Sequence, residues 1–339
     1  MRRPLAALVC ACLALLAPAA VAAKTTRSWA APEITLVTSR GLMGGDATTF
    51  RPNAPLTHSA IDDLVSGLTE TPSLLGGAPS APVTMAGLDQ TLVRSLGLGD
   101  DARLFYLGAR ASGLRPPSRF GSEVAARLLG LRVNHQAPSD DLELLPNDVA
   151  TRAEAAYSGA QILRFRDWEV GSVESAAAQF ELPVYTPWQR RVLQTAVNLI
   201  GYPYVWGGTS SGRQTVFGVT SRGGFDCSGF VWRVYKLQAY PGGAALTATI
   251  RGRTAAQMAG EVPKAKRIGF AELEPGDLLF FGQGGRRARV AAIDHAGIYL
   301  GSGWMINSSR YGVALAQVTG WAAERFAWGR RPLAEAGLS

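Results

Sequence analysis

The segment GGFDCSGFVW, residues 223–232, sets a cysteine directly after an acid and before Ser-Gly, at the head of an apolar run. Gly223 and Gly224 break the preceding loop and Asp226 is a helix cap. Phe230, Val231, Val234 and Tyr235 then share one face of a helix that begins at Cys227. A thiol at a helix N-terminus meets unpaired N–H groups and the positive end of the macrodipole, which favour its anion. The spacing therefore predicts a Cys227 whose pKa lies below the ordinary thiol value, as a nucleophile requires.

A nucleophilic thiol needs a base. Residues 186–339 contain a single histidine, His295, within IDHAGIYLGSGWMINSS. IDHAGIYLG reads as a strand, Gly301-Ser302-Gly303 as a tight turn, and WMINSS as the return strand. A three-residue turn sets Leu300 opposite Trp304 and Gly297 opposite Asn307. His295 and Asn307 then project from the same face as diagonal neighbours, with Gly297 leaving room between them. An amide oxygen at that place orients an imidazole, the third part of a Cys-His-Asn set. Taken singly, these residues also read as an inert cysteine, a core histidine and a turn asparagine. One cysteine and three scattered histidines give no metal-ligand spacing, so neither a metal nor a cofactor is expected.

The elements that must hold this set lie in the second half of the chain. TPWQRRVLQTAVNLI opens with Thr186 as cap and Pro187 at the first helical position. Trp188, Val192, Leu193, Val197 and Ile200 turn toward a core, and Gly201 ends the helix. Residues 186–339 carry a net charge of +10 and residues 24–185 a net −4. A basic half of this kind suits an anionic polymer, and the opposite signs allow one half to dock on the other. No basic helix with interleaved aromatics appears, so nucleic acid is not expected.

The chain opens with two arginines, an apolar run from Pro4 to Leu16 and Ala20-Val21-Ala22. Residues 1–22 thus read as a secretory signal peptide cut before Ala23, and no later run is long enough to span a membrane. Cleavage removes Cys10 and Cys12 and leaves Cys227 as a lone thiol in an exported, secreted protein.

The first half repeats itself. RPNAPLTHSAIDDL (51–64) and LPNDVATRAEAAYS (145–158) share a Pro-Asn turn, then a Thr that caps a helix, and a third Thr-led helix starts at Thr84. SWAAPEITLVTSRGLMGG reads as a helix closed by Gly44 and Gly45, and residues 100–114 have the same form. Residues 166–186 show no clean period and read as a linker or bridging element. Residues 28–165 resemble S-layer homology repeats through Phe50-Arg51-Pro52-Asn53 and Thr151-Arg152-Ala153-Glu154. That resemblance implies a mainly α-helical bundle holding anionic cell-wall polysaccharide, with Arg51 and Arg152 as candidate contacts; His58 stands where the family's arginine is expected. A spacer bundle without a ligand is the alternative.

In the second half, YPYVWGG (202–208), FDCSGF (225–230), LEPGDLLFF (273–281), DHAGIYLGSGWMINSS (294–309) and RFAWGRRPL (325–333) follow in order. Together they resemble the NlpC family of cell-wall peptidases over residues 187–335. The resemblance implies an α+β, papain-like fold, with the cysteine on a helix N-terminus and the histidine on an antiparallel sheet. It makes Cys227 the nucleophile, His295 the base and Asn307 the third polar group. Tyr204 is placed by the oxyanion or the substrate amine, and Asp226 and Ser228 in the subsite for the stem peptide. Trp206 and Asp277 are implied to be structural. Residues 209–224 form a longer link than the family's usual one. The activity implied is hydrolysis of an amide in the peptidoglycan stem, between D-glutamate and a diamino acid, by a cell-wall-associated protein. The rival readings are an amidase or other amide hydrolase on this fold, and a non-catalytic wall binder.

Overall fold

The structure, a computed structural model, describes residues 28–44, 46–73, 76–135 and 143–338. The expected signal peptide lies outside the described residues, as does Gly45.

Three Thr-led helices organise the first half: α2 (His58–Thr69), α3 (Met85–Ser95) and α6 (Arg152–Leu163), which follow α1 (Ala31–Ser39). Thr57, Thr84 and Thr151 each accept a hydrogen bond from the amide three residues on. A helix leaves its first amides without internal partners. Here each copy lends carbonyls to the next. His58 and Ser59 donate to Ala81 and Pro79, Met85 and Ala86 to Asp148 and Pro146, and Arg152 and Ala153 to Ala54 and Pro52. A closed triangle lies inside this ring: Leu56 donates to Ala150, Ala150 to Val83 and Val83 to Leu56, at 2.7–2.9 Å. The third copy inferred at Thr84 is therefore a full member of the ring.

Between these helices run α4 (Gly99–Ala111) and α5 (Phe120–Leu128), and after them come α7 (Glu169–Ala178) and α8 (Pro187–Asn198). The α8 helix starts with Thr186 and Gln189 in a reciprocal capping box. Two sequence expectations need correction. The first helix stops at Ser39, because Gly41 takes the left-handed conformation (φ 71°) and the Leu42 amide returns to the Val37 carbonyl. Residues 166–186 are not simply a connection, since α7 folds there and buries Val173, Ala176 and Ala177. Two of those three buried residues are alanines, too small to leave a visible apolar stripe.

The second half is built on a five-stranded antiparallel sheet: β5 (Leu278–Gly282), β6 (Ile293–Gly301), β7 (Trp304–Ser309), β8 (Gly312–Gln317) and β9 (Phe326–Arg330), in spatial order β8-β7-β6-β5-β9. Before it come four short strands: β1 (Thr209–Ser210), β2 (Gln214–Val216), β3 (Val219–Ser221) and β4 (Gly224–Phe225). Helix α9 (Cys227–Trp232) continues into a π-helical turn and packs on β6 and β7. Helices α10 (Ala244–Thr249), α11 (Ala255–Gly260), α12 (Gly320–Arg325) and α13 (Pro332–Glu335) complete this half.

One apolar core runs through both halves. Phe105 of α4, Phe180 and Trp304 of β7 meet edge to face, with centroids 5.1–6.0 Å apart. Elsewhere between the halves, Arg127 of α5 is buried with Glu123 and Glu143 (2.8 and 2.9 Å). The same guanidinium donates to the carbonyls of Gly201 and Tyr311 in the second half. The halves do dock, through aromatic packing and through hydrogen bonds from the buried Arg127 to main-chain carbonyls, with one ion pair between Arg222 and Asp148 (2.7 Å) at the surface. Among the described residues no helix is long and apolar enough to cross a membrane.

Candidate active site

Cys227 is the first residue of α9. Its position is fixed from the main chain upward. Asp226 caps the helix by accepting from the Gly229 amide and also accepts from the Gly207 amide (2.9 Å). Gly229 lies so close to the Gly208 carbonyl that an added Cβ would come within 1.9 Å of it. The helix start is thereby pressed against the loop that leads from Tyr204. The Cys227 sulfur lies 3.9 Å from the Asp294 carbonyl and accepts from the Ala296 amide, the residues on either side of His295.

His295 and Asn307 stand as the sequence suggests. Gly297 pairs with Asn307 across β6 and β7, and His295 Nε2 lies 3.1 Å from Asn307 Oδ1. The amide oxygen can only accept, so Nε2 carries the proton and Nδ1 is left as the basic nitrogen. The turn itself is one residue tighter than expected. Gly301, not Leu300, pairs with Trp304, and Leu300 is bulged. Ser302 and Gly303 both take positive φ (50° and 80°), the primed turn that suits a twisted hairpin.

The electrostatics reverse one expectation. Burial pushes the Cys227 thiol up to about 11, and the neighbouring Asp226 carboxylate adds to this. Amides of Ala296 and Ser228 and the Arg253 guanidinium oppose the rise without cancelling it. The helix terminus alone does not make a thiolate here, because desolvation and an acid at the cap outweigh it. Burial also lowers His295, against its hydrogen bond to the Asn307 oxygen. Burial thus disfavours the charged form of both groups, which line the same cavity.

Tyr204 pairs with Phe225 in an isolated bridge and lines the cavities on both sides of His295. Its phenol is held well above its ordinary pKa by burial and by Cys227, so it stays a donor. Asp226 and Ser228 are buried and joined by a residue that the sequence did not single out. Arg253 donates to Ser228 Oγ (2.8 Å), to both Asp226 oxygens (3.1 and 3.2 Å) and to the Gly207 carbonyl (3.0 Å). Arg253 precedes a Thr-capped helix, a context that reads as ordinary surface.

Asp277 is structural, as read: it is buried, accepts from Arg331 (2.9 and 3.0 Å) and holds the Glu274 amide (2.8 Å). Trp206 is not a packed aromatic. It is 67% exposed and lies at the cleft. Arg51 and Arg152 belong to the helical ring and line none of the cleft. Arg152 donates to the Phe50 and Met43 carbonyls (2.8 and 2.9 Å) and stacks 4.5 Å above the Phe50 ring. Arg51 is exposed at φ 53°.

Two cavities flank the site. One, of about 450 Å³, contains Cys227, Asp226, Ser228 and Arg253. The other, of about 1220 Å³, runs past His295 and Asn307 to Arg310, Trp321 and Arg325, and includes Asn134 from the first half. Among the described residues no three His, Cys, Asp or Glu side chains cluster as a metal site.

Comparison with known proteins agrees with this geometry. Residues 201–331 match the NlpC/P60 family and residues 23–60 the S-layer homology domain. The chain is 31% identical over 129 residues to the gamma-D-glutamyl-L-lysine dipeptidyl-peptidase of Bacillus subtilis, covering 38% of this chain and 34% of the relative. It is 39% identical over 113 residues to the murein DD-endopeptidase MepH of Escherichia coli, covering 33% of each. The chain thus spans about a third of the length of these relatives. A solved NlpC/P60 family protein from Bacillus cereus is 26% identical, covering 46% of this chain and 43% of that one, with a TM-score of 0.33. Over residues 201–331 the chain is thus similar to the NlpC/P60 family, and over residues 23–60 to the S-layer homology domain.

Proposed function

We propose that this protein is a secreted cysteine peptidase that hydrolyses an amide bond in the peptidoglycan stem peptide. The observation that carries the reading is the pairing of His295 Nε2 with Asn307 Oδ1, beside a thiol held between Asp294 and Ala296. As substrate binds, the Cys227 proton passes to His295 Nδ1 and the sulfur attacks the carbonyl carbon. The developing oxyanion is met by the Tyr204 phenol and by amides at the start of α9. His295 returns the proton to the leaving amine, giving a thioester, and then activates the water that releases the acid. Because burial disfavours the charged form of both groups, proton transfer and attack are coupled instead of relying on a standing thiolate.

The bond we favour is D-glutamyl–diamino acid. One relative's name gives a gamma-D-glutamyl-L-lysine bond and another's a DD-peptide bond, so the fold serves more than one cut. The S-layer homology segment supports attachment at the cell wall, with exposed Arg51 as a contact for anionic polymer and Arg152 partly engaged in the bundle. Digestion of purified peptidoglycan by the wild type and by Cys227→Ala, with fragment masses, tests the reading. Stem-peptide fragments from the wild type alone support it and identify the bond. Equal release by both proteins, or none by either, overturns it.

A further inference from the structure

The two cavities have a direction. Both cavities touch His295, and only the smaller one also touches Cys227; in the proposed reaction the acyl group stays on Cys227 while the amine departs, which sets the larger cavity on the amine side. The cavity that contains Cys227 holds the acyl side of the cut bond. Its outer wall is the β2–β3 hairpin, within the long 209–224 link, together with Trp206. Here large apolar groups stand in water: Phe217 is 80% exposed, Trp206 67% and Val219 47%.

This wall is built, not loose. The hairpin turns on Phe217 and Gly218, at φ 50° and 81°. The left-handed region is unusual for an aromatic residue, and such outliers gather at functional sites. Gly207, itself at φ 76°, has no Cβ to obstruct: one placed there would lie 2.7 Å from both the Phe217 ring and Val216. Phe217 therefore seats over the Gly207 backbone, next to Trp206. Gly207 is in turn tied to Asp226 through its amide and to Arg253 through its carbonyl. Hydroxyls of Thr215 and Thr220, paired at 2.9 Å, stand exposed on the same hairpin.

Exposed aromatic faces suit a pyranose, whose ring presents C–H groups on its faces. The chemistry of the substrate puts one there. The acyl end of a wall stem peptide leads, through a short peptide, to the sugar that carries it. We propose that Trp206 and Phe217 form a platform for an N-acetylated sugar of the glycan strand, so that the site prefers glycan-linked stems to released peptides. This rests on the peptidase reading above and deepens it.

Phe217→Asn tests the platform, because asparagine accepts the left-handed turn and removes only the ring. The readout is the ratio of kcat/KM on a disaccharide-linked stem peptide to that on the same peptide without sugar. A fall of about tenfold in that ratio, in Phe217→Asn and in Trp206→Ala, is expected, in line with the loss of one stacking contact. An unchanged ratio overturns the proposal. Titration of the Cys227→Ala protein with the disaccharide-dipeptide, followed by calorimetry, makes the test independent of turnover. Binding that weakens with Phe217→Asn upholds the platform even if no bond is cut. Absent binding, or binding indifferent to the ring, rejects it even if the peptidase is active.

Discussion

At the scale of single residues, burial raises the Cys227 thiol and lowers the His295 imidazole, so the proposed reaction starts from a protonated thiol and a weakly basic imidazole. Alkylation of free enzyme by iodoacetamide should be slower at neutral pH than that of an ordinary thiol, and should still be rising past pH 9, with a midpoint near 11. A plateau at neutral pH would show a standing thiolate. The acid limb of kcat/KM reports His295, whose pKa is lowered, so activity should persist below the ordinary imidazole value of about 6.5 before it falls. Asn307→Asp places a carboxylate on Nε2–H and stabilises imidazolium. The acid limb should then move up, by about 1–3 pH units, and pH–rate profiles of the two proteins decide it. The facing of His295 and Asn307 was legible because a Gly-Ser-Gly turn between two apolar runs fixes which residues meet. The thiol's pKa was not, since burial and the cap acid act through three-dimensional neighbours. Nor was Arg253, which reaches Asp226 from a distant loop, nor the exposure of Trp206, whose type argues for a core.

At the scale of elements, the nucleophile depends on how closely α9 meets the Gly208 loop. Gly229→Ala drives a methyl group into the Gly208 carbonyl and toward Asp226 Oδ1. A cost on the order of 3 kcal/mol is expected in denaturant unfolding, with loss of turnover beyond the loss of folded protein. A fully active, equally stable Gly229→Ala protein would contradict the packing described. The Thr-capped helices and the β6–β7 hairpin were readable from caps and turn residues. Helices α5 and α7 were missed: the faces they bury carry alanine, glycine and even charge, as with Glu123 and Arg127, in place of a large apolar stripe.

At the scale of the whole molecule, the two halves share one apolar core. Cutting the chain at 186 strips Phe105 and Phe180 from Trp304 and removes Arg127 from the carbonyls of Gly201 and Tyr311. Residues 186–339 alone should bind a hydrophobic dye and lose their cooperative thermal transition. A cooperative, dye-silent fragment would show that the shared core is dispensable. Aromatic packing and buried hydrogen bonds, which join the halves, are little screened by salt. Raising the ionic strength to roughly 1 M should leave the arrangement of the halves unchanged by small-angle scattering, whereas surface charge docking would loosen. The division into a helical and a sheet-built half was legible from the motifs. Their fusion was not, because Trp304 and Phe180 name no partner in the linear sequence.

The ring of Thr-led helices bears on how such a chain can change over time. Its closure runs largely through amides and carbonyls, from Leu56 to Ala150 to Val83 and back, and main-chain groups survive almost any substitution. Side chains of the copies are therefore free to drift apart while their geometry stays equivalent. The middle copy lacks both the Phe-Arg-Pro-Asn and the Thr-Arg-Ala-Glu letters and still holds its place in the ring. Loss of one whole copy is another matter, since two cannot close a circle of three: selection acting on this bundle tolerates spelling errors but not a missing word.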